Sequence, residues 1–246
     1  MRIALATDPG TPGWPNEDFV AVAPGAAVLL DGCTTTPRGA GTGCLHGVAW
    51  YARTLGTEFL AAITADPSPP DPALPLGEAL AGAITEVRTR HEKTCDLASP
   101  HTPAATVIAV RAAQGGFELL ALSDSSIVAD YGEGRDPVVV TDTHRAASTD
   151  PDAARQALTT VLAPDGLRGI ALLSDGAARI TEVYHLIGWA DLVTVLRAEG
   201  PAGLLRRVRA AEDSDPDGAR WPRPKKRDDA TASTGHSQAS NQRPGQ

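Results

Sequence analysis

Long apolar runs, paired cysteines and a surplus of positive charge are all missing from this sequence, and each absence removes a class of protein. No apolar stretch reaches the roughly 18 residues that cross a bilayer. The stretch before Pro9 is too short for the apolar part of a signal peptide, so a cytoplasmic protein that keeps off membranes is expected. Cys33, Cys44 and Cys95 are the three cysteines; they form no C-x-x-C pair and leave one odd. Neither a disulfide framework nor a thiolate zinc site is therefore expected. The net charge is −8, from 22 Lys and Arg against 30 Asp and Glu. That field repels phosphates and disfavours nucleic acid as a partner, so any phosphate handled here needs a local positive charge such as a metal. There is no G-x-S-x-G elbow and no Walker loop, Thr34-Thr35-Thr36 is internal, and the thiols lack a sequence cue for an activating histidine. Serine, cysteine or nucleotide-dependent chemistry thus has little support.

What is present reads as a globular chain of 246 residues, 42% hydrophobic before its 24 glycines are added. Arg2 to Thr7, Phe19 to Ala23 and Ala26 to Leu30 are short apolar or alternating runs, the pattern of strands. From Cys44 to Ile63, Leu45, Val48, Ala49, Ala52, Leu55, Phe59 and Ala62 recur every three or four residues, which predicts a helix. Five prolines between Ala65 and Pro75 predict a loop, and a second helix is predicted from Leu76 to about Thr94. Ala104 to Ala112, Phe117 to Ser123, Ser126 to Tyr131 and Pro137 to Thr141 read as an antiparallel meander. A helix is predicted over Asp152 to Leu162, a buried strand over Gly169 to Ser174, and helices over Trp189 to Ala198 and Ala202 to Ala211. Two helices between two groups of strands predict a layered α+β fold rather than a βαβ repeat. Residues 233–246 lack apolar residues other than alanine and are expected to be a disordered tail after a domain spanning 1–232.

One arrangement recurs: an apolar strand ends in an aspartate beside a small residue. Leu30 leads to Asp31-Gly32, Leu122 to Ser123-Asp124-Ser125, and Leu173 to Ser174-Asp175-Gly176. Strands of one sheet ending at a common edge would gather these carboxylates, which would repel and take up protons unless a cation neutralised them. Oxygen donors of this kind suit Mg²⁺ or Mn²⁺ rather than zinc. The plainer reading of each is a turn or a helix cap. Three in one chain, with the pairs Glu17-Asp18 and Asp228-Asp229, weigh toward a metal centre.

Taken in order, Asp8-Pro-Gly10, Asn16-Glu17-Asp18, Leu30-Asp31-Gly32, the Thr106-Val107 strand, Ser123-Asp124-Ser125, Thr141 to His144, Leu173-Ser174-Asp175-Gly176 and Asp228-Asp229-Ala230-Thr231 resemble the motifs of the type 2C metal-dependent Ser/Thr protein phosphatases. The resemblance runs from residue 1 to about 232 and marks a divergent, bacterial-like member. It implies an αββα sandwich, two antiparallel sheets flanked by helices, with two or three Mn²⁺ or Mg²⁺ ions at one end. It also implies hydrolysis of phosphoserine and phosphothreonine in phosphorylated proteins or phosphopeptides, in signalling, by attack of a metal-bound hydroxide. By resemblance Asp31 bridges two ions, the Gly32 carbonyl binds one of them, and Asp175 and Asp228 complete the first ion's shell. Asp18 acts on the second ion through water, supported by Glu17, and Asp124 corresponds to the ligand of a third, looser ion.

The sequence departs from that pattern in three places. Gly13 stands where the family usually carries a phosphate-binding arginine, whose loss weakens a bidentate clamp. The loop Cys33 to Arg38 replaces a glycine-rich segment that often holds a histidine acid. Arg38 either supplies charge from a new direction or is solvated, and His46 either replaces the acid or sits on the helix surface; His144 is read as structural. Asp228-Asp229 leads into no apolar run, so the closing strand is expected to be short, loose or absent. The five cations between Arg220 and Arg227 either steer an acidic partner or form a solvated, mobile loop. These departures motivate an alternative, a catalytically silent phosphatase-like protein that binds a signalling partner.

Overall fold

The computed structural model describes residues 2–33, 43–65, 73–142 and 150–236. In chain order the elements are β1 (Arg2–Asp8), β2 (Asp18–Ala23), β3 (Ala26–Cys33), α1 (Val48–Thr64), α2 (Leu76–His91), β4 (Ala104–Ala113), β5 (Gly116–Leu122), β6 (Ser126–Asp130) and β7 (Val138–Val140). They continue with α3 (Pro151–Arg155), β8 (Leu158–Leu162), β9 (Gly169–Leu173), α4 (Asp175–Glu182), α5 (Trp189–Ser214) and β10 (Ala230–His236). Two five-stranded sheets, ordered β1-β10-β9-β6-β7 and β2-β3-β4-β5-β8, are antiparallel throughout.

The strand sequences explain the layering. Successive side chains of a strand point to opposite faces, and on β3 Val28 and Leu30 enter a core with α1 and α2 while Leu29 enters a core between the sheets. On β4, Val107 and Ala109 face the helices and Ile108 faces the other sheet. Both faces are covered, so these strands read as unbroken apolar runs. A third core joins β9 and β10 to α4 and α5 through Leu173, Ala177, Ile180, Leu192, Leu204 and Ala232. The result is the four-layer αββα, α+β sandwich expected from the sequence.

Three local expectations are corrected. The stretch from β4 to β7 is not one meander: β4 and β5 pair in one sheet, β6 and β7 in the other. The chain crosses at Ser123, whose φ of 73° turns it out of strand geometry. The helix predicted from Asp152 to Leu162 stops at Arg155, and Leu158-Thr-Thr-Val-Leu162 is instead the edge strand β8 beside β5. Its Asp150 cap, which accepts from the Asp152 amide at 2.9 Å, is genuine, but the β-branched residues beyond favour extended backbone. The two helices predicted beyond Trp189 are both present, joined end to end as α5 with a break at Gly200 (φ 70°). Finally, the closing strand is present and central: β10 pairs with β1 on one side and β9 on the other. Ser233 to His236, expected in the tail, complete it, because small and polar residues suffice where ladder bonds and covering layers come from neighbours. The rest of the tail, the Pro-rich loop's residues 66–72, Arg38 and His144 lie outside the described residues. Among those described, no helix is long and apolar enough to cross a membrane.

Candidate metal centre

The carboxylates meet at one end of the sandwich, and they come from both sheets rather than from one. Asp18 begins β2 and stands directly opposite Asp31 of β3 in the ladder. Like charges at facing positions of an antiparallel pair destabilise it. Asp175 is the first residue of α4, after β9, and Asp228-Asp229 leads into β10. Close backbone packing brings these ends together: a Cβ on Gly176 would lie 2.0 Å from the Asp229 carbonyl oxygen, and one on Gly32 2.6 Å from that of Glu17. Asp229 clamps the N-terminal loop, its two oxygens accepting from the amides of Gly10 (2.7 Å) and Glu17 (2.8 Å).

The carboxylates then divide by partner. Both oxygens of Asp18 are buried without a hydrogen bond. Burial pushes its carboxyl up to about 7, the neighbouring hydroxyls of Thr231 and Ser174, although outside hydrogen-bond geometry, offset part of that, and the charges of Asp229 and Asp175 add to it. Asp31 is held well above the ordinary carboxylate range by burial first and then by the charges of Asp18 and Asp175. Asp175 is also raised, chiefly by burial and by Asp228, although a hydrogen bond with Asp31 opposes the shift. Asp228 differs. Burial would raise it too, but Lys225 and Arg179 outweigh burial and hold it below its usual value, with Lys225 Nζ and Arg179 Nη2 each donating at 2.7 Å. Arg179, itself buried, also faces Glu212 at 3.6 Å and Asp175 at 3.9 Å.

Four acidic side chains, Asp18, Asp31, Asp175 and Asp228, thus share two nearby cations. Three of them hold raised pKa values in a setting of oxygen donors only. Closely spaced carboxylates with unfilled lone pairs are the donor set of a hard divalent ion, and the residues present fit one.

Of the other predicted site residues, Gly32 adjoins Asp31, and Asp124 is exposed and lies close enough to Asp175 to raise its carboxyl. His46 sits against Cys44 at 3.8 Å and Cys95 at 3.5 Å, stacked on Trp50. Gly13 has a φ of 84° and open space where a side chain would project; an arginine there would adopt a strained backbone. The basic run is tied down: Arg223 donates to Asp215, Lys225 to Asp228 and Arg227 to Asp213. Sequence reasoning did not foresee Arg179 at the site. Its signal was the spacing of four from Asp175, which faces one helical turn onto the next, but α4 itself was not predicted.

Fold and site define the class: an αββα sandwich with a carboxylate cluster at the open ends of its strands. The sequence model described as Protein phosphatase 2C matches residues 11–207, and the chain belongs to that family, whose members use divalent metal ions. Its fold is similar to the PPM Ser-Thr phosphatase MsPP from Mycobacterium smegmatis, with a TM-score of 0.62 at 19% identity, over 95% of this chain and 97% of that one. It is likewise similar to the serine/threonine phosphatase PstP/Ppp of Mycobacterium tuberculosis, with a TM-score of 0.60 at 17% identity, over 95% and 97% of the two chains. The catalytic domain of PstP in complex with 2 manganese ions gives a TM-score of 0.58 at 16% identity, over 95% and 96%. No curated protein sequence matches the chain.

Proposed function

We propose that this chain is a cytoplasmic, metal-dependent phosphatase that removes phosphate from phosphoserine and phosphothreonine in proteins, with Mn²⁺ or Mg²⁺ as its ions. The observation that carries the reading is Asp18, whose two buried oxygens have no partner and which faces Asp31 across the ladder. An acidic pair placed this way is retained at a cost to folding and makes sense as a ligand set. Asp31, which feels the charges of both Asp18 and Asp175, is the carboxylate that would be shared between ions. Asp31, Asp175 and Asp228, with the Gly32 carbonyl, would hold the ions, Asp18 would act on one of them through bound water, and Asp124 would serve a looser one. When bound, the ions supply Lewis acidity and an activated water.

The remaining roles belong to the protein alone. Arg179 and Lys225 keep Asp228 ionised and fix its direction, so its lone pairs are available at neutral pH. Lys225, with 43% of its side chain exposed, also places a positive charge near the acidic end in a region where Gly13 offers no guanidinium. A phosphate dianion would meet that ammonium, which makes Lys225 the candidate for orienting the substrate.

The test is hydrolysis of p-nitrophenyl phosphate and of a phosphothreonine peptide with and without Mn²⁺. Turnover should require the metal. Asp31→Ala and Asp175→Ala should each lose more than the roughly 10- to 100-fold that removal of an outer-shell partner costs. Turnover untouched by both substitutions would refute the reading, failure to bind millimolar Mn²⁺ would favour a partner-binding role, and tight Mn²⁺ binding without turnover would point to a different substrate.

A further inference from the structure

A second donor set lies outside the carboxylate end and differs from it in chemistry. Cys44 and His46 precede α1; His91 is the last residue of α2, and Cys95 follows one turn later. In sequence these are C-x-H and H-x-x-x-C segments separated by 44 residues, which is why a search for C-x-x-C pairs passes over them. In the fold, one ligand atom from each of the four residues lies within 4.8 Å of all the others. Cys44 Sγ is 3.6 Å from His91 Nδ1 and 3.8 Å from His46 Nδ1, and Cys95 Sγ is 3.5 Å from His46 Nδ1. Sulfur at about 2.3 Å and nitrogen at about 2.0 Å from one tetrahedral ion would be about 3.5 Å apart. The two sulfurs, 3.1 Å apart, would open by about half an ångström to take it.

The surroundings suit thiolates. The Leu45 amide donates to Cys95 Sγ at 3.3 Å and the His46 amide to Cys44 Sγ at 3.4 Å, which spreads negative charge from sulfur onto backbone N–H groups. The imidazoles are braced by rings: His46 stacks on Trp50 with centroids 4.2 Å apart, and His91 lies 5.3 Å from Trp50 and 6.3 Å from Tyr51. The only backbone pairing across the same gap is the Asp96 amide to the Gly43 carbonyl at 2.9 Å among the described residues. We propose that Cys44, His46, His91 and Cys95 form a structural Zn²⁺ site that staples the start of α1 to the end of α2. Two thiolates and two imidazoles with tetrahedral spacing select zinc over the hard ions of the carboxylate end, and four protein ligands leave no position for substrate. The staple also bears on the first centre. Val48, two residues beyond His46, opens α1, and its Cγ1 would lie 2.5 Å from a Cβ on Gly32, so anchoring this helix start holds the backbone beside Asp31 in place. The proposal stands whether or not the chain is a phosphatase.

The test uses the full chain, reduced, stripped of metal and reloaded with Co²⁺ in the presence of excess Mg²⁺. The expected result is about one Co²⁺ per chain with the charge-transfer and ligand-field absorption of a tetrahedral thiolate site, displaced by an equivalent of Zn²⁺. Asp31→Ala should leave that spectrum unchanged, and Cys44→Ser and His46→Ala should abolish or distort it. His46 is exposed, so its substitution keeps the test usable if the cysteine variants fail to fold. A thiol reagent applied to the folded wild-type chain should find two of the three cysteines protected by Zn²⁺ and released by a chelator. Absence of a thiolate–cobalt band, a band that persists in Cys44→Ser, or thiols lost to a Cys44–Cys95 disulfide in the freshly purified protein would each overturn the proposal.

Discussion

The carboxylate end and the Cys/His cluster each gather four donors, yet they meet the cost of doing so in opposite ways. At the first, Asp18, Asp31 and Asp175 are crowded as carboxyls that resist ionisation; Asp228 holds two cations at 2.7 Å, and Asp175 meets Arg179 only at 3.9 Å. At the second, the thiols and imidazoles already hydrogen-bond one another. The contrast teaches that similar ligand counts carry different liabilities. Bare carboxylates strain the fold until an ion arrives, whereas thiol and imidazole donors can hydrogen-bond within their own cluster and contribute rigidity once bound.

The sharpest way to separate the two sites is Asp31→Asn. It should remove Mn²⁺-dependent turnover by more than about 100-fold while leaving the metal content of the Cys/His cluster intact, as read by kinetics and elemental analysis on the same preparation. Arg179→Met comes next. Arg179 is buried against Asp228 and Glu212, and removing one partner from such a network costs on the order of 3 to 5 kcal/mol, measurable by urea unfolding. Arg155→Ala, which breaks exposed pairs with Glu78 and Asp152, should leave the urea midpoint almost unchanged, since solvent screens exposed pairs.

A pH effect tests the strain directly. Asp18 has a folded-state pKa of about 7 against an ordinary 3.8, so between those values the folded chain holds a proton that the unfolded chain has released. Stability therefore falls as pH rises through this window, and Asp31 and Asp175 act in the same direction. With Zn²⁺ present but no Mn²⁺, the melting temperature should drop between pH 5 and pH 7.5 by a few degrees, and saturating Mn²⁺ should flatten or reverse the drop. The smallest effect expected is from Lys225→Gln, a rise of several-fold in KM for a phosphopeptide that shrinks in high salt; an unchanged KM at low salt would remove Lys225 from the substrate's path.

How much of this was legible in the sequence varied with what each segment must do alone. β3, β4 and β9 were visible because they are covered on both faces and must carry unbroken apolar runs. β10 was not, since Ala-Thr-Ala-Ser-Thr-Gly-His borrows its stability from β1 and β9. The Asp31 and Asp175 ends could be read as a pattern, but that they lie on different sheets depends on the crossings after β5, β7 and β8, which carry no apolar signature. Arg179 and the Cys/His cluster escaped for a common reason. Each is defined by partners tens of residues away, and residue spacing reports only neighbours along one helix or strand.

The central claim, that Asp18, Asp31 and Asp175 form a divalent-ion site whose carboxyls resist ionisation until it is filled, is best tested by calorimetric titration of Mn²⁺ into the zinc-loaded chain at about pH 6.5 in buffers of different ionisation heat. At least two ions should bind, protons should be released on binding, and both should be lost in Asp31→Asn. Absence of binding at millimolar Mn²⁺, or binding with no proton release that survives Asp31→Asn, would contradict the account.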